Sequence, residues 1–262
     1  MTAEAASIDL APEHSTAGST SIVLDARDIV KELGSGARKV RALKGVNLAL
    51  RAGELTLLMG PSGSGKTTLL SMLGFMMTPT AGTVHVCGHS NEGAEAEALA
   101  KLRRDHVGFI FQQYHLFPTM TAVENVQLAL DVRGVQGKEA RSRAYDALAR
   151  VGLAHKIPSF PSEMSGGEQQ RVAIARAIVS TPSVILADEP TAALDSENGQ
   201  AVMRILSTIA TDSGHSVLVV THDTRLLPFA HRIIHIEDGR LVREEAGPAA
   251  GPKLLPAAKA GH

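Results

Sequence analysis

The residues from Gly60 to Thr68, GPSGSGKTT, have the composition of a phosphate cradle. Gly60, Gly63 and Gly65 let the backbone curl so that successive N–H groups point inward, with Pro61, Ser62 and Ser64 completing the loop. A helix starting near Lys66 adds the positive end of its dipole. Gly60 is followed, after four intervening residues, by Gly65, Lys66 and Thr67, which is the Walker A spacing. On that pattern Lys66 serves the β- and γ-phosphates of a nucleotide and Thr67 serves Mg²⁺, with Thr68 next in the same turn.

A second group of reactive side chains follows the apolar run Val184 to Ala187, which ends in Asp188 and Glu189. An apolar strand with a terminal Asp is the Walker B pattern: Asp188 holds Mg²⁺ opposite Thr67, and Glu189 is left for the attacking water. The alternative is a pair of solvated loop acids. Val217 to Val220 repeats the theme with Thr221, His222 and Asp223 at its end. A histidine at a strand end is usually structural, but this sheet edge already carries the phosphate chemistry, so His222 is read as a catalytic contact. Ser165, Gly166, Gly167 and Glu168 open another helix and offer a second anion position, although flexible turns use the same residues. His85, Cys87 and His89 are spaced along a strand and turn, with no fourth zinc ligand nearby.

These groups need a sheet to hold them. Leu55 to Met59 reads as a buried strand feeding the loop, and Val184 to Ala187 as another at the carboxyl edge of a parallel sheet. Ser21 to Ile29 and Ala42 to Leu50 alternate as strands of an antiparallel layer in front of the site, with Gly82 to Val86 a further strand. From Gln113 to Pro161 the strand signals fade. Ala122 to Val132 and Lys138 to Val151 read as helices of a lobe inserted into the α/β core, or else as further helices of one continuous domain. Arg232 to Ile236 and Arg240 to Val242 flank a hairpin turn.

At 262 residues the chain is long enough for one large α/β domain. A net charge of −1 gives no electrostatic argument for nucleic acid. One cysteine, Cys87, excludes an internal disulfide framework and fits a reducing compartment. No stretch approaches the ~20 apolar residues that cross a bilayer, so a membrane role is borrowed from a partner. Residues 1–20 carry no signal-peptide pattern and read as disordered; 246–262, rich in Ala, Gly and Pro, read as a flexible tail.

Taken together, GPSGSGKTT, FQQ at 111–113, MSGGEQQR at 164–171, VILADEP at 184–190, AALD at 192–195 and VTHD at 220–223 resemble the ATP-binding cassette (ABC) ATPases, over roughly residues 21–245. The resemblance implies a P-loop NTPase core with an antiparallel β layer and an inserted α-helical subdomain at about 113–165. It implies that Gln112 is the Q-loop glutamine serving Mg²⁺ with Thr67 and Asp188, that Ser165 to Gly167 are the signature, that Glu189 is the catalytic base, Asp195 the D-loop acid and His222 the switch histidine at the γ-phosphate. It also implies ATP and Mg²⁺ as ligands, a homodimer in which one chain's Walker A loop and another's signature clasp the same ATP, and a separate transmembrane permease subunit. The location implied is cytoplasmic, on the inner face of the cell membrane, with no nucleic acid partner; a soluble relative acting on nucleic acid or ribosomes is the competing reading. The texture around 108–126 is similar to the branch serving lipoprotein release and macrolide-type export.

Two departures stand out. Glu168 stands where the signature commonly has Gln, and Leu33 falls near where the family places an aromatic ring against adenine. Leu33, or the guanidinium of Arg38 or Arg41, is the expected platform. Tyr114, Leu116 and Phe117 are expected either to line a groove for the membrane subunit or to pack inside the helical lobe.

Overall fold

The computed structural model describes residues 21–34 and 39–250. The expected disordered segment 1–20 and Arg38 lie outside the described residues.

Two sheets lie back to back. A six-stranded sheet runs in the order β10-β9-β3-β8-β7-β6. Its members are β3 (Leu55–Met59), β6 (Val107–Ile110), β7 (Val184–Asp188), β8 (Ser216–Thr221), β9 (Arg232–Glu237) and β10 (Arg240–Ala246). All neighbours are parallel except β10, which returns antiparallel from β9 through the expected hairpin. Every residue of β3 and β8 is buried. A parallel sheet covered on both faces selects such predominantly apolar runs, here with Thr56, Ser216 and Thr221 buried among them.

Side chains alternate between the faces with period two. Leu58, Leu186, Val220 and Ile234 join helix α1 (Lys66–Leu73) and the antiparallel sheet in one buried cluster. That second sheet has the order β2-β1-β4-β5, built from β1 (Ile22–Leu33), β2 (Val40–Arg51), β4 (Ala81–Val86) and β5 (His89–Ser90). Strands β1 and β2 extend past the alternating stretches read from sequence, with register shifts along their pairing. Helix α2 (Ala96–His106) buries no residue fully.

On the other face Leu57, Ile185, Ala187 and Val219 pack with α3 (Ala122–Asp131), α4 (Gly137–Arg150), α5 (Gly166–Ile178) and α6 (Ser196–Ser213). The helical lobe therefore shares a continuous core with the sheet. Its entry is fixed by Thr121, which caps α3 in a reciprocal box with Glu124. Buried Asn125 holds the preceding turn by donating to the carbonyls of Phe117, Met120 and Thr121 and accepting from Phe117 N. Helix α6, to which the sequence patterns assigned nothing, buries Val202, Met203, Leu206, Ile209 and Ala210.

The flexible tail expected from residue 246 begins too early. Ala246 still belongs to β10, Gly247 N donates to His231 O at 2.9 Å, and Ala249 N donates to Ala230 O at 2.9 Å. Residues 246–250 are thus tied to the sheet, and the rest of that tail lies outside the described residues.

Candidate functional site

The phosphate loop runs from the carboxyl end of β3 into α1. Gly60 is packed so tightly that an added Cβ would collide with the Ile236 carbonyl oxygen. Gly65 is left-handed at φ 101°, and a Cβ there would stand 2.9 Å from Ala42 O. Gly63, at φ 78°, faces open space instead. The chain therefore threads between β2 and the β9–β10 hairpin while its open side stays clear. Helix α1 has no side-chain cap and no acidic residue in its first turn, unlike α3, α5 and α6, so its first amides are left for an outside acceptor.

Lys66 is 8% exposed, its stem buried and its ammonium folded back on the loop. The Nζ donates to the carbonyls of Gly60 and Pro61, both at 2.8 Å. An ammonium has three donors, so one remains for a ligand. Ser64 is buried with its hydroxyl unpartnered, while its carbonyl accepts from Gly239 N at 3.0 Å. This fastens the loop to the hairpin.

Thr67 Oγ1 donates to Asp188 Oδ1 at 3.3 Å, which brings the ends of α1 and β7 together as the Walker patterns require. Burial pushes the Asp188 carboxyl above the ordinary aspartate range, against the Thr67 hydrogen bond, and neighbouring Glu189 pushes the same way as burial. A cation there would reverse the balance. One carboxylate beside one hydroxyl, facing a phosphate cradle, suits Mg²⁺, which keeps waters and takes few protein ligands. Glu189 follows β7 in a left-handed conformation, φ 46°, while its amide still donates to Val220 O at 2.9 Å. Non-glycine residues held in that region mark sites where geometry overrides backbone preference. Its Oε1 lies 2.8 Å from His222 Nδ1 at the end of β8.

Pro61, Ser62, Gly63, Gly65, Lys66, Thr67 and Thr68 line one cavity of about 800 Å³ with Gln112, Glu189 and His222. Leu33, Val40, Arg41 and Ala42 line the same cavity. Leu33 and Val40 are both exposed apolar residues, and Arg41 is drawn aside to Glu32 Oε1 at 3.1 Å. Val40, Asp238 and Gly239 were missed as lining residues. The Asp238–Gly239 turn was legible as a hairpin, but not its reach to the loop, where Lys44 pairs with Asp238 at 2.5 Å.

Ser165, Gly166, Gly167 and Glu168 do not line this cavity. They form the N-terminus of α5 elsewhere on the chain, with Ser165 as cap and Glu168 completing a reciprocal box. Gly167 packs so closely on Asn198 that a Cβ would stand 2.5 Å from its Oδ1. Asn198 is held in turn by Asp195, the cap of α6. Tyr114 presses its hydroxyl on Gly166, 2.8 Å from where a Cβ would be. Tyr114 and His115 are both left-handed, and Arg176 of α5 fixes them by donating to both carbonyls, at 2.7 and 2.5 Å. Sequence reasoning passed over Arg176, whose partners are backbone oxygens. Of the three residues expected at a partner groove, Tyr114 faces the signature, Leu116 packs on the core and Phe117 is 48% exposed.

A family model described as "ABC transporter" matches residues 43–192. The chain is 45% identical over 221 residues to the macrolide export ATP-binding/permease protein MacB of Shigella flexneri, covering 84% of this chain and 34% of that protein. The MacB of Escherichia coli strain K12 matches with the same identity and coverage. The chain thus spans about a third of the length of these curated relatives. Among solved structures, a dimeric post-hydrolysis state of the ATP-binding cassette MJ0796 bound to ADP and Pi superposes with a TM-score of 0.78 at 41% identity, over 85% of this chain and 98% of that one. CbiO1 from Clostridium perfringens, part of the ABC transporter complex cbiONQ, gives 0.78 at 26% identity, over 87% and 90%.

Proposed function

Because the chain belongs to the ABC transporter family, we infer that it binds and hydrolyses ATP as the energy-coupling cassette of a transporter, paired with a second copy of itself. The observation that carries this reading is that the chain holds both halves of a nucleotide clasp and keeps them apart. The phosphate loop lines the cavity, and the signature lies outside it on the same chain. Each half needs a complement, and a second copy supplies both.

In that pair Lys66 and the loop amides hold the phosphates, and the partner's signature closes over the γ-phosphate. Glu189 orients and deprotonates the attacking water, and His222, anchored on Glu189, contacts the γ-phosphate through its other nitrogen. Thr67, Asp188 and Gln112 would hold Mg²⁺, which would supply neutralisation of the phosphate charge. A separate membrane-spanning permease completes the machine, with this cassette at the inner face of the cell membrane. Among the described residues no helix is long and apolar enough to cross a membrane. The test is specific ATPase activity against protein concentration: it rises with concentration if two chains build each site, whereas a constant value from a monomer removes the reading.

The base is read by the cavity's apolar end. Leu33 and Val40 give contact but no aromatic stack, which is worth roughly 1–3 kcal/mol per base in proteins that bind single-stranded nucleic acid. Leu33→Tyr is expected to tighten ATP binding by about fivefold or more, with the turnover number nearly unchanged. Titration with a fluorescent ATP analogue checks this. Unchanged affinity in Leu33→Tyr with a marked loss in Arg41→Ala would make arginine the platform.

A further inference from the structure

Glu168 puts a negative charge at a helix end that the proposed function directs at a phosphate. Its carboxylate is used on both sides. Oε2 accepts from Ser165 N at 2.8 Å, and Oε1 faces Lys156 Nζ at 3.6 Å. The Ser165 amide, and to a lesser degree the Lys156 and Arg171 charges, hold the Glu168 carboxyl below the usual glutamate range, so it stays ionised. Lys156 comes from the turn that follows α4, is itself partly buried, and is steered by a long contact from its Nζ to Glu163 O at 3.4 Å. Left alone, the Glu168 charge would offset the positive end of α5. An ammonium 3.6 Å away opposes that effect.

We propose that Lys156 is a positioning residue of the signature, neutralising Glu168 so that the first amides of α5 meet the partner chain's nucleotide with a net positive field. This rests on the two-chain clasp above. Lys156 touches neither the cavity nor its own chain's nucleotide site, so its effect is confined to what the signature receives from the other copy.

The experiment is a double-mutant cycle on the full chain, reading steady-state ATP hydrolysis and thermal stability at two salt concentrations. Lys156→Met is expected to raise the KM for ATP about two- to fivefold, with kcat much less affected and the difference shrinking as salt screens the uncompensated charge. Glu168→Gln, which keeps the capping hydrogen bond without the charge, is expected to lower KM. Lys156→Met combined with Glu168→Gln is expected to restore KM to near the wild-type value. A wild-type KM in Lys156→Met, or a double variant as impaired as Lys156→Met, overturns the proposal while the two-chain reading stands on a wild-type specific activity that rises with protein concentration. A wild-type chain with no ATP turnover, or with a specific activity independent of protein concentration, overturns that reading and this proposal together.

Discussion

Lys66→Ala is expected to lower ATP turnover by about 10²–10³-fold or more, with the chain still folded. A preorganised donor aimed at developing charge is worth about 2.7–4 kcal/mol to the transition state. Here the preorganisation is visible before any ligand arrives: two of the ammonium's hydrogens are fixed on the carbonyls of Gly60 and Pro61, which aims the third. The same two bonds predict the limited cost to stability. Gly60 is only partly buried and Pro61 is exposed, so water can take over both carbonyls when the ammonium goes. Nucleotide affinity should fall as well, because Lys66 meets the phosphates in the ground state too. Steady-state turnover with a melting curve on the same sample checks both halves. A folded Lys66→Ala protein that turns over ATP near the wild-type rate would remove the loop from the chemistry.

What made this site legible in the sequence was that its parts sit at strand ends. β3, β7 and β8 are covered on both faces, so they appear as short, predominantly apolar runs, and the residues just after each run mark the edge where chemistry happens. Asp188 and Glu189 were readable in that way, His222 as part of the polar trio after Val220, and Thr67 from the glycine spacing of the loop that β3 feeds. Helix α2 was not, since it buries no residue fully and only Leu99 and Leu102 of its charged sequence pack against the core. The anchoring of residues 246–250 was invisible for another reason: Gly247 and Ala249 are held by backbone hydrogen bonds, which leave no side-chain signature. Arg176 was missed on the same ground, its partners being the carbonyls of Tyr114 and His115. The Asp238–Gly239 turn shows a third limit. Its sequence announced a hairpin, but the contact with Ala42 and Ser64 joins residues nearly two hundred positions apart, and no local pattern spans that distance.

The Glu189→Gln variant is expected to hydrolyse ATP about 10²–10⁴-fold more slowly, the usual contribution of a positioned general base, and to accumulate as a dimer in MgATP. The substitution is close to isosteric. Glutamine keeps an oxygen for the His222 Nδ1 contact, now 2.8 Å from Glu189 Oε1, and leaves the Glu189 N to Val220 O bond untouched. The left-handed turn at φ 46° is no harder for glutamine than for glutamate. Geometry is thus preserved and only basicity is lost, so binding and closure proceed while the water stays undeprotonated. In the wild-type chain hydrolysis empties the clasp and the pair separates; in Glu189→Gln the clasp stays filled and the pair persists. Size-exclusion chromatography with light scattering, with and without MgATP, reads the dimer, and a phosphate-release assay reads the rate. Turnover within about tenfold of wild type would mean that another group activates the water. A Glu189→Gln chain that binds ATP at saturating concentration yet stays monomeric would instead separate the phosphate site from the two-chain clasp. Combining Glu189→Gln with Lys66→Ala distinguishes the causes: if the dimer is held by bound ATP, loss of Lys66 dissolves it, and a dimer that survives is held by contacts outside the nucleotide.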